Sequence, residues 1–503
     1  MSYLMGIDVG TTSTRAVLID EKGNLVASEA TEYPLHTPQP GWAEQNPEDW
    51  WQATINSVRQ VIAKAGIRPE EIAGLGLSGQ MHGSVFLDAN NQVIRPAILW
   101  CDQRTAAQCD WITETVGRDT IVRITCNPVL TGFTAPKIIW LRDNEPDNFA
   151  RVRKVLLPKD YIRFRLTGTF ATEVSDASGT SLLDVPNRRW SEELMQALGL
   201  PMDWLPEVYE SPEVSARISR DGAEATGLAE GTPVVGGGGD QAAGAVGNGI
   251  VEPGIVSSTI GTSGVVFAYA EEPFTDPELR THTFCHAVPG KWHVMGVVLS
   301  AGGSLRWLRD ALGYTGYEQI NKEAAEAPAG CEGLIFLPYL TGERTPYPDP
   351  YARGVFFGLS LRHDKRHMIR AVMEGAAYAH RDSFEILDAM GVPISHVRIS
   401  GGGARSPLWR QIMADVTGRE HVTINVDEGP AYGVALLAGV GTGIYPDVPS
   451  ACHTAIRVEQ RILPDEKRHA MYTEFYKQVY RPLYPALKSL YAVNAGIVVK
   501  YLE

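Results

Sequence analysis

Long apolar runs are missing from this chain. No stretch of about 20 strongly apolar residues occurs, so no membrane-spanning helix is expected. The longest uncharged candidate, GIVSSTIGTSGVVFAYA, is full of Gly, Ser and Thr and reads as strand, turn, strand. Asp8 interrupts the N-terminal apolar run and no basic region precedes it, so no secretory signal is read. Cysteine is scarce, with six in 503 residues: Cys101, Cys109, Cys126, Cys285, Cys331 and Cys452. None forms a CxxC pair or a zinc spacing with histidine, which points to free thiols in a reducing, cytoplasmic compartment. Positive charge is also short. Against 59 Asp and Glu stand 45 Lys and Arg, a net charge of -14, with no basic run. A nucleic-acid partner is therefore not expected, and any anionic ligand must be held by local amides, dipoles and a metal. The GxxxxGK[ST] phosphate loop is absent. A GxGxxG does occur from Gly74 to Gly79, but a turn and another strand follow it. A dinucleotide fingerprint must open a helix, so this one is set aside.

What remains is an ordinary globular composition, 44% hydrophobic and 21% charged. Strand-like and helix-like segments alternate, which predicts an α/β fold with room for two large domains. One helix is legible in detail in NPEDWWQATINSVRQVIAKAG. Asn46 is its cap, Pro47 its first residue and Gly66 its stop, with Trp51, Ile55, Val58 and Ile62 on one face. A second is expected from Met368 to Leu387, with Ile369, Val372, Met373 and Ala376 inward.

The N-terminal MGIDVGTTSTRAVLID reads as two strands joined by a tight turn at Gly10. GTTSTRAVLID returns about half a chain later as GTSGVVFAYA from Gly261. Two such units suggest a duplicated domain with one turn of each copy facing a shared cleft; coincidence is the alternative. The boundary would fall at Val251 to Gly254. An acid, Asp8, stands just ahead of hydroxyls that could hold an anion, which makes sense if a cation lies between them. An ordinary hairpin capping its own turn is the other reading.

PVVGGGGDQAAGAVGNG runs an apolar strand into four glycines, then Asp240, then a small-residue helix. Asp240 near a helix N-terminus would stay ionised as a general base for a hydroxyl must, or would serve only as a cap. VRISGGGARSPLWRQIMADVTG ends a strand in Gly401, Gly402 and Gly403, with Ser406 and Pro407 starting a helix. That turn offers flat access to an adenine or ribose, or is simply a tight connection. Met81 and His82 in SGQMHG lie on a turn between strands, a structural or a functional pair.

These stretches, together with QNPEDWW, NPVLTGFTAPKIIWL, LLPKDYIRFRLTG, SDASGT, FLPYLTGERTP and RGVFFGLS, span nearly the whole chain. They resemble the sugar kinases of the FGGY family and, within it, the branch that phosphorylates D-xylulose. The resemblance implies an α/β fold of two duplicated ribonuclease-H-like (actin-like ATPase) domains around a central cleft. Residues 1–251 would carry the sugar site and first phosphate loop, and residues 252–503 would bind ATP. Carried over, Asp240 is the catalytic base and Met81 and His82 contact the ketose. Asp8 is the acid near Mg²⁺. Gly10, Thr11 and Thr12 form one phosphate loop, Thr262 belongs to the other, and Gly402, Gly403 and Ser406 surround the adenosine. The expected reaction is phosphorylation of the C5 hydroxyl, and a homodimer is expected. Kinases of L-xylulose, a ribulose or another polyol are the alternatives, and a sugar-independent ATPase a further one. Cys101 in LWCDQR stands where the family often has Asn, which bears on fine sugar preference. The final AVNAGIVVKYLE is read as a mobile tail or a docking strand.

Overall fold

The computed structural model describes residues 2–426 and 429–502. Tyr3–Val9 (β1) and Ser13–Asp20 (β2) form the expected antiparallel hairpin, continued by Leu25–Glu32 (β3). Ile72–Gly79 (β4) lies parallel to β1 on its other side, with Asp8 opposite Ser78. Val214–Arg217 (β5), Pro233–Val235 (β6) and the short Gly238–Gly239 (β7) complete a seven-stranded sheet. Its order is β5-β6-β4-β1-β2-β3, with β7 also paired to β4.

A second seven-stranded sheet repeats the plan. Gly254–Ile260 (β8) pairs antiparallel with Gly264–Ala270 (β9), followed by His282–Cys285 (β10) and Trp292–Val298 (β11). Ile394–Ser400 (β12) lies parallel to β8, with Thr259 opposite Ser400. His421–Ile424 (β13) and Val458–Ile462 (β14) close the order β10-β11-β9-β8-β12-β13-β14. In each sheet, the first strand of a hairpin sits between an antiparallel and a parallel neighbour, and the Gly-Thr turn follows its tip. The echo between the two halves is a repeat of topology.

Pro47–Ala65 (α1) packs on the first sheet as expected, with the Asn46 side chain accepting from Glu48 N and Gly66 in the left-handed region. Of the expected face, Trp51 and Val58 are buried, but the buried face is wider and shifted to one side. Trp50, Thr54, Ser57 and Val61 are buried, while Ile55 and Ile62 flank the core half-buried. Polar residues can face inward here because their hydroxyls are satisfied: Thr54 donates to Trp50 O, and Ser57 to Thr14 O. Lys365–Ala389 (α3) begins before Met368, where Asp364 accepts from Arg366 N; Ile369, Val372, Met373 and Ala376 are buried as expected.

Two helices fill the space between the sheets. Asp240–Gly247 (α2) follows β7, and Gly429–Gly441 (α5), late in the chain, packs against both α2 and strands β1 and β4. In chain order Pro407–Thr417 (α4) precedes it. The approach of α5 is so close that a Cβ on Gly6 would lie 1.8 Å from Ala431 O, and one on Gly76 2.2 Å from Val434 O. Gly74 and Gly76 of the Gly74–Gly79 stretch therefore serve helix–sheet packing. The C-terminal stretch corrects its expectation: it is neither tail nor strand but the end of a helix, Arg481–Leu502 (α6). Continuation of a helix already nucleated by the preceding residues prevails over the strand preference of Ile497, Val498 and Val499. Among the described residues no helix is long and apolar enough to cross a membrane. All six cysteines are free, Cys101 partly exposed and the others buried.

Candidate active site

The Gly10–Thr12 turn presents donors because its acceptors are already used. Gly10 O accepts from Tyr33 Oη at 2.5 Å and Gln80 Nε2 at 3.3 Å, Thr11 O from Gln45 Nε2 at 2.7 Å, and Thr12 O from Tyr33 N at 3.2 Å. Gly10 N donates to Ser13 O at 3.0 Å and the Thr11 hydroxyl to Gln80 Oε1 at 3.3 Å, while Thr12 is exposed, so an anion would be met by the remaining amides and the Thr12 hydroxyl. Trp100 Nε1 donates to Thr11 Oγ1 at 3.0 Å. The second turn repeats this logic: Gly261 O accepts from Gly302 N at 2.8 Å, and Thr262 O from Ala301 N at 3.0 Å and Gly303 N at 2.9 Å. The Thr262 and Ser263 side chains are exposed.

Asp8 lies at the tip of β1, and its Oδ1 is buried without a hydrogen-bond partner. Burial raises its pKa to about 6, opposed by the Ser78 hydroxyl and the charge of Arg15. Asp240 opens α2, with Gly239 as the capping residue, so Asp240 is not itself the cap. Burial, then the negative charge of Asp8, push Asp240 up to about 7; Gln241 pulls the other way. This corrects the expectation that the helix N-terminus alone keeps Asp240 ionised: desolvation beside a second carboxylate outweighs it.

Two neighbouring acids that disfavour each other's charge, one with an orphaned oxygen beside an anion loop, suit a divalent cation. Mg²⁺ typically takes one or two carboxylates plus substrate phosphates. Among the described residues no group of three or more His, Cys, Asp or Glu gathers as a metal site. The fit is to a cation that arrives with phosphates.

Met81 and His82 occupy the turn after β4. A Cβ on Gly239 would lie 3.0 Å from Met81 Cγ, so this turn adjoins the residue preceding Asp240. His82 takes a left-handed φ of 68°, its ring stacks on Phe133 at 4.6 Å, and its Nδ1 lies 2.7 Å from Gly179 O. Burial drives its pKa down to about 3, so the imidazole is neutral.

On the side of the second sheet, a cavity of about 650 Å³ opens between Thr262, Gly402, Gly403, Ser406, Tyr317 and Asn321. Ser406 caps α4, accepting from Trp409 N, and its Oγ donates to Asn321 Oδ1 at 2.9 Å. A second cavity, about 250 Å³, has Asp240 and Gln241 on one wall and Thr259, Ser400 and Gly401 on the other. The structure thus gathers the sequence-flagged residues in two groups. Asp8, Gly10–Thr12, Met81, His82 and Asp240 lie at the first sheet; Thr262, Gly402, Gly403 and Ser406 line the large cavity.

Sequence reasoning missed Gln45, Gln80 and Trp100, which hold the first turn, and Asn321 and Tyr317 of the cavity. The first three fall within quoted stretches, and a buried glutamine next to a Gly-rich turn is the usable signal. Asn321 and Tyr317 lie on a helix with no local signature.

Two repeated α/β halves, each with a Gly-Thr turn after the central strand of its sheet, have the actin-like fold of an ATP-dependent phosphotransferase. Residues 3–247 match the N-terminal domain, and residues 256–442 the C-terminal domain, of the FGGY family of carbohydrate kinases. The chain belongs to that family and is an ATP-dependent carbohydrate kinase. It is 41% identical over 494 residues to a xylulose kinase of Escherichia coli, covering 96% of this chain and 99% of that one. To a xylulose kinase of Bacillus subtilis it is 38% identical over 496 residues, covering 97% and 99%. A solved xylulose kinase structure from Rhodospirillum rubrum superposes with a TM-score of 0.90 at 30% identity, covering 97% of this chain and 100% of that one.

Proposed function

We propose that this kinase transfers the γ-phosphoryl group of ATP to the C5 hydroxyl of D-xylulose, giving ADP and D-xylulose 5-phosphate. The observation that carries this reading is the position of Asp240. It lies between the Met81–His82 turn, where the sugar would sit, and the cavity wall formed by Thr259, Ser400 and Gly401. The names of the relatives supply the sugar.

Asp240 accepts the proton of the C5 hydroxyl as that oxygen attacks the γ-phosphorus in line. The new O–P bond takes the electron pair of the broken O–H bond, the bond to the leaving oxygen breaks, and ADP departs. The Gly10–Thr12 and Thr262 turns aim amides and hydroxyls at the phosphoryl oxygens as charge shifts between them. Asp8 would hold Mg²⁺, through water, and that cation would neutralise phosphate charge when bound. Adenosine fits the large cavity, with Gly402 and Gly403 offering bare backbone and Ser406 fixed by Asn321. Met81 and the neutral His82 read the ketose. Closure of the two halves, divided at 251/252, would exclude water as the competing nucleophile.

The test is ADP release with Mg-ATP against D-xylulose, L-xylulose, D-ribulose, L-ribulose, glycerol and no sugar. Strong preference for D-xylulose with low background supports the reading. Equal release without sugar rejects it in favour of an ATPase, and preference for another sugar replaces the substrate. The homodimer and cytoplasmic setting belong to the same proposal, checked by light scattering and cell fractionation.

A further inference from the structure

The stretch SDASGT has no part in the mechanism above, yet it touches both the residue that precedes Asp240 and the Met81–His82 turn. Glu173 is buried and caps the short helix Val174–Ala177, accepting from Ser175 N at 2.6 Å and Asp176 N at 2.8 Å. It also accepts from the Ser175 hydroxyl, at 3.0 Å. With its proton committed, Ser175 Oγ turns a lone pair to Gly239 N, which donates to it at 3.1 Å. Gly239 is the residue before Asp240. Four residues beyond Ser175, Gly179 O faces His82 Nδ1 at 2.7 Å. A carbonyl can only accept, so Nδ1 carries the proton and Nε2 keeps its lone pair. A side chain at Gly179 would collide with that ring, its Cβ 2.4 Å from Nδ1 and Cε1. Between these two points Ser178 Oγ accepts from Cys285 N, on β10 of the other sheet, at 3.0 Å.

We propose that residues 175–179 form a positioning element. Ser175 aims Asp240 through Gly239, and the Gly179 carbonyl sets the tautomer of His82 so that Nε2 accepts a hydrogen bond from a sugar hydroxyl. The proposal rests on the reading of Asp240 as base and His82 as sugar contact. It adds a rule of recognition: His82 selects a hydroxyl, which can donate, over a ketone oxygen, which cannot.

The test joins a spectrum to kinetics on the full-length enzyme. In two-bond ¹H–¹⁵N spectra, with His82 assigned by the signal lost in His82→Ala, Nδ1 should be protonated and Nε2 bare at neutral pH. Ser175→Ala should lower kcat about tenfold with the sugar KM little changed, because a misplaced base slows chemistry more than binding. Gly179→Ala should raise the sugar KM about tenfold with the ATP KM unchanged. Protonation at Nε2 in the spectrum overturns the proposal, whatever the kinetics. So does equal loss of kcat and sugar affinity in both variants together with a lowered Tm, which would make the turn mere scaffolding. No sugar-dependent ADP release by the unaltered enzyme sinks the kinase reading, and the positioning claim with it. The wrong tautomer with normal release sinks the positioning claim alone.

Discussion

Asp240→Asn should give an enzyme that is at once disabled and more stable. The substitution keeps the size of the side chain and removes a charge held in the cleft beside Asp8. A carboxyl near 3.8 when unfolded and near 7 when folded corresponds to ~4 kcal/mol of charge penalty at 1.36 kcal/mol per pH unit. Water reaching the half-buried carboxylate screens part of this, leaving ~1–2 kcal/mol. The sign follows from proton uptake. Between pH 4 and 7 the folded state holds the proton that the unfolded state has lost, so stability falls as pH rises through this window. Asp240→Asn lacks that loss. Its Tm should match the parent near pH 4 and exceed it by about 1–2 °C at pH 8, without ligands. Turnover should fall by at least about 10²-fold, the usual cost of losing a general base. Scanning calorimetry at four pH values and a coupled ADP assay decide the matter. A Tm difference that does not grow with pH refutes the electrostatic account, and near-normal turnover refutes the assignment of the base.

His82→Ala should raise the sugar KM while leaving ATP binding largely intact; an unchanged sugar KM in steady-state kinetics removes His82 from the sugar site. Gln80→Ala frees Gly10 O and Thr11 Oγ1 from their shared partner and should raise the ATP KM several-fold, read by titrating ATP at saturating sugar. Gly76→Ala places a methyl 2.2 Å from Val434 O, and urea titration should show a loss of about 1–3 kcal/mol, the usual cost of overpacking. Chelation by EDTA should stop ADP release, and Asp8→Asn should raise the Mg²⁺ concentration needed for half-maximal rate; an unaltered requirement would remove Asp8 from the metal.

Local signals in the chain revealed its local structure well. The cap, first-turn proline and terminal glycine of α1 were all legible because each acts within four residues. The repeated hairpin was legible because a Gly-Thr turn between apolar strands has few other solutions. The inward face of α1 was legible only in part: Trp51 and Val58 are buried as read, but the burial of Ser57 depends on Thr14 and Thr31, in strands outside the helix. The meaning of Gly74 and Gly76 was hidden for a similar reason: the helix that approaches them lies more than 350 residues later. The charge state of Asp240 likewise depends on Asp8, a neighbour in space that no local spacing reveals.

The placement of α5 bears on how the molecule is made. The first sheet is complete once the ribosome passes Gly239, but the helix that covers one of its faces ends only at Gly441. For some two hundred residues of synthesis, β1 and β4 carry an apolar surface notched with glycines and shielded by nothing native. A fragment cut at the midpoint would keep that face open permanently. Such fragments should enter inclusion bodies unless residues 429–441 are supplied in trans, and the nascent chain is a natural client for holding chaperones.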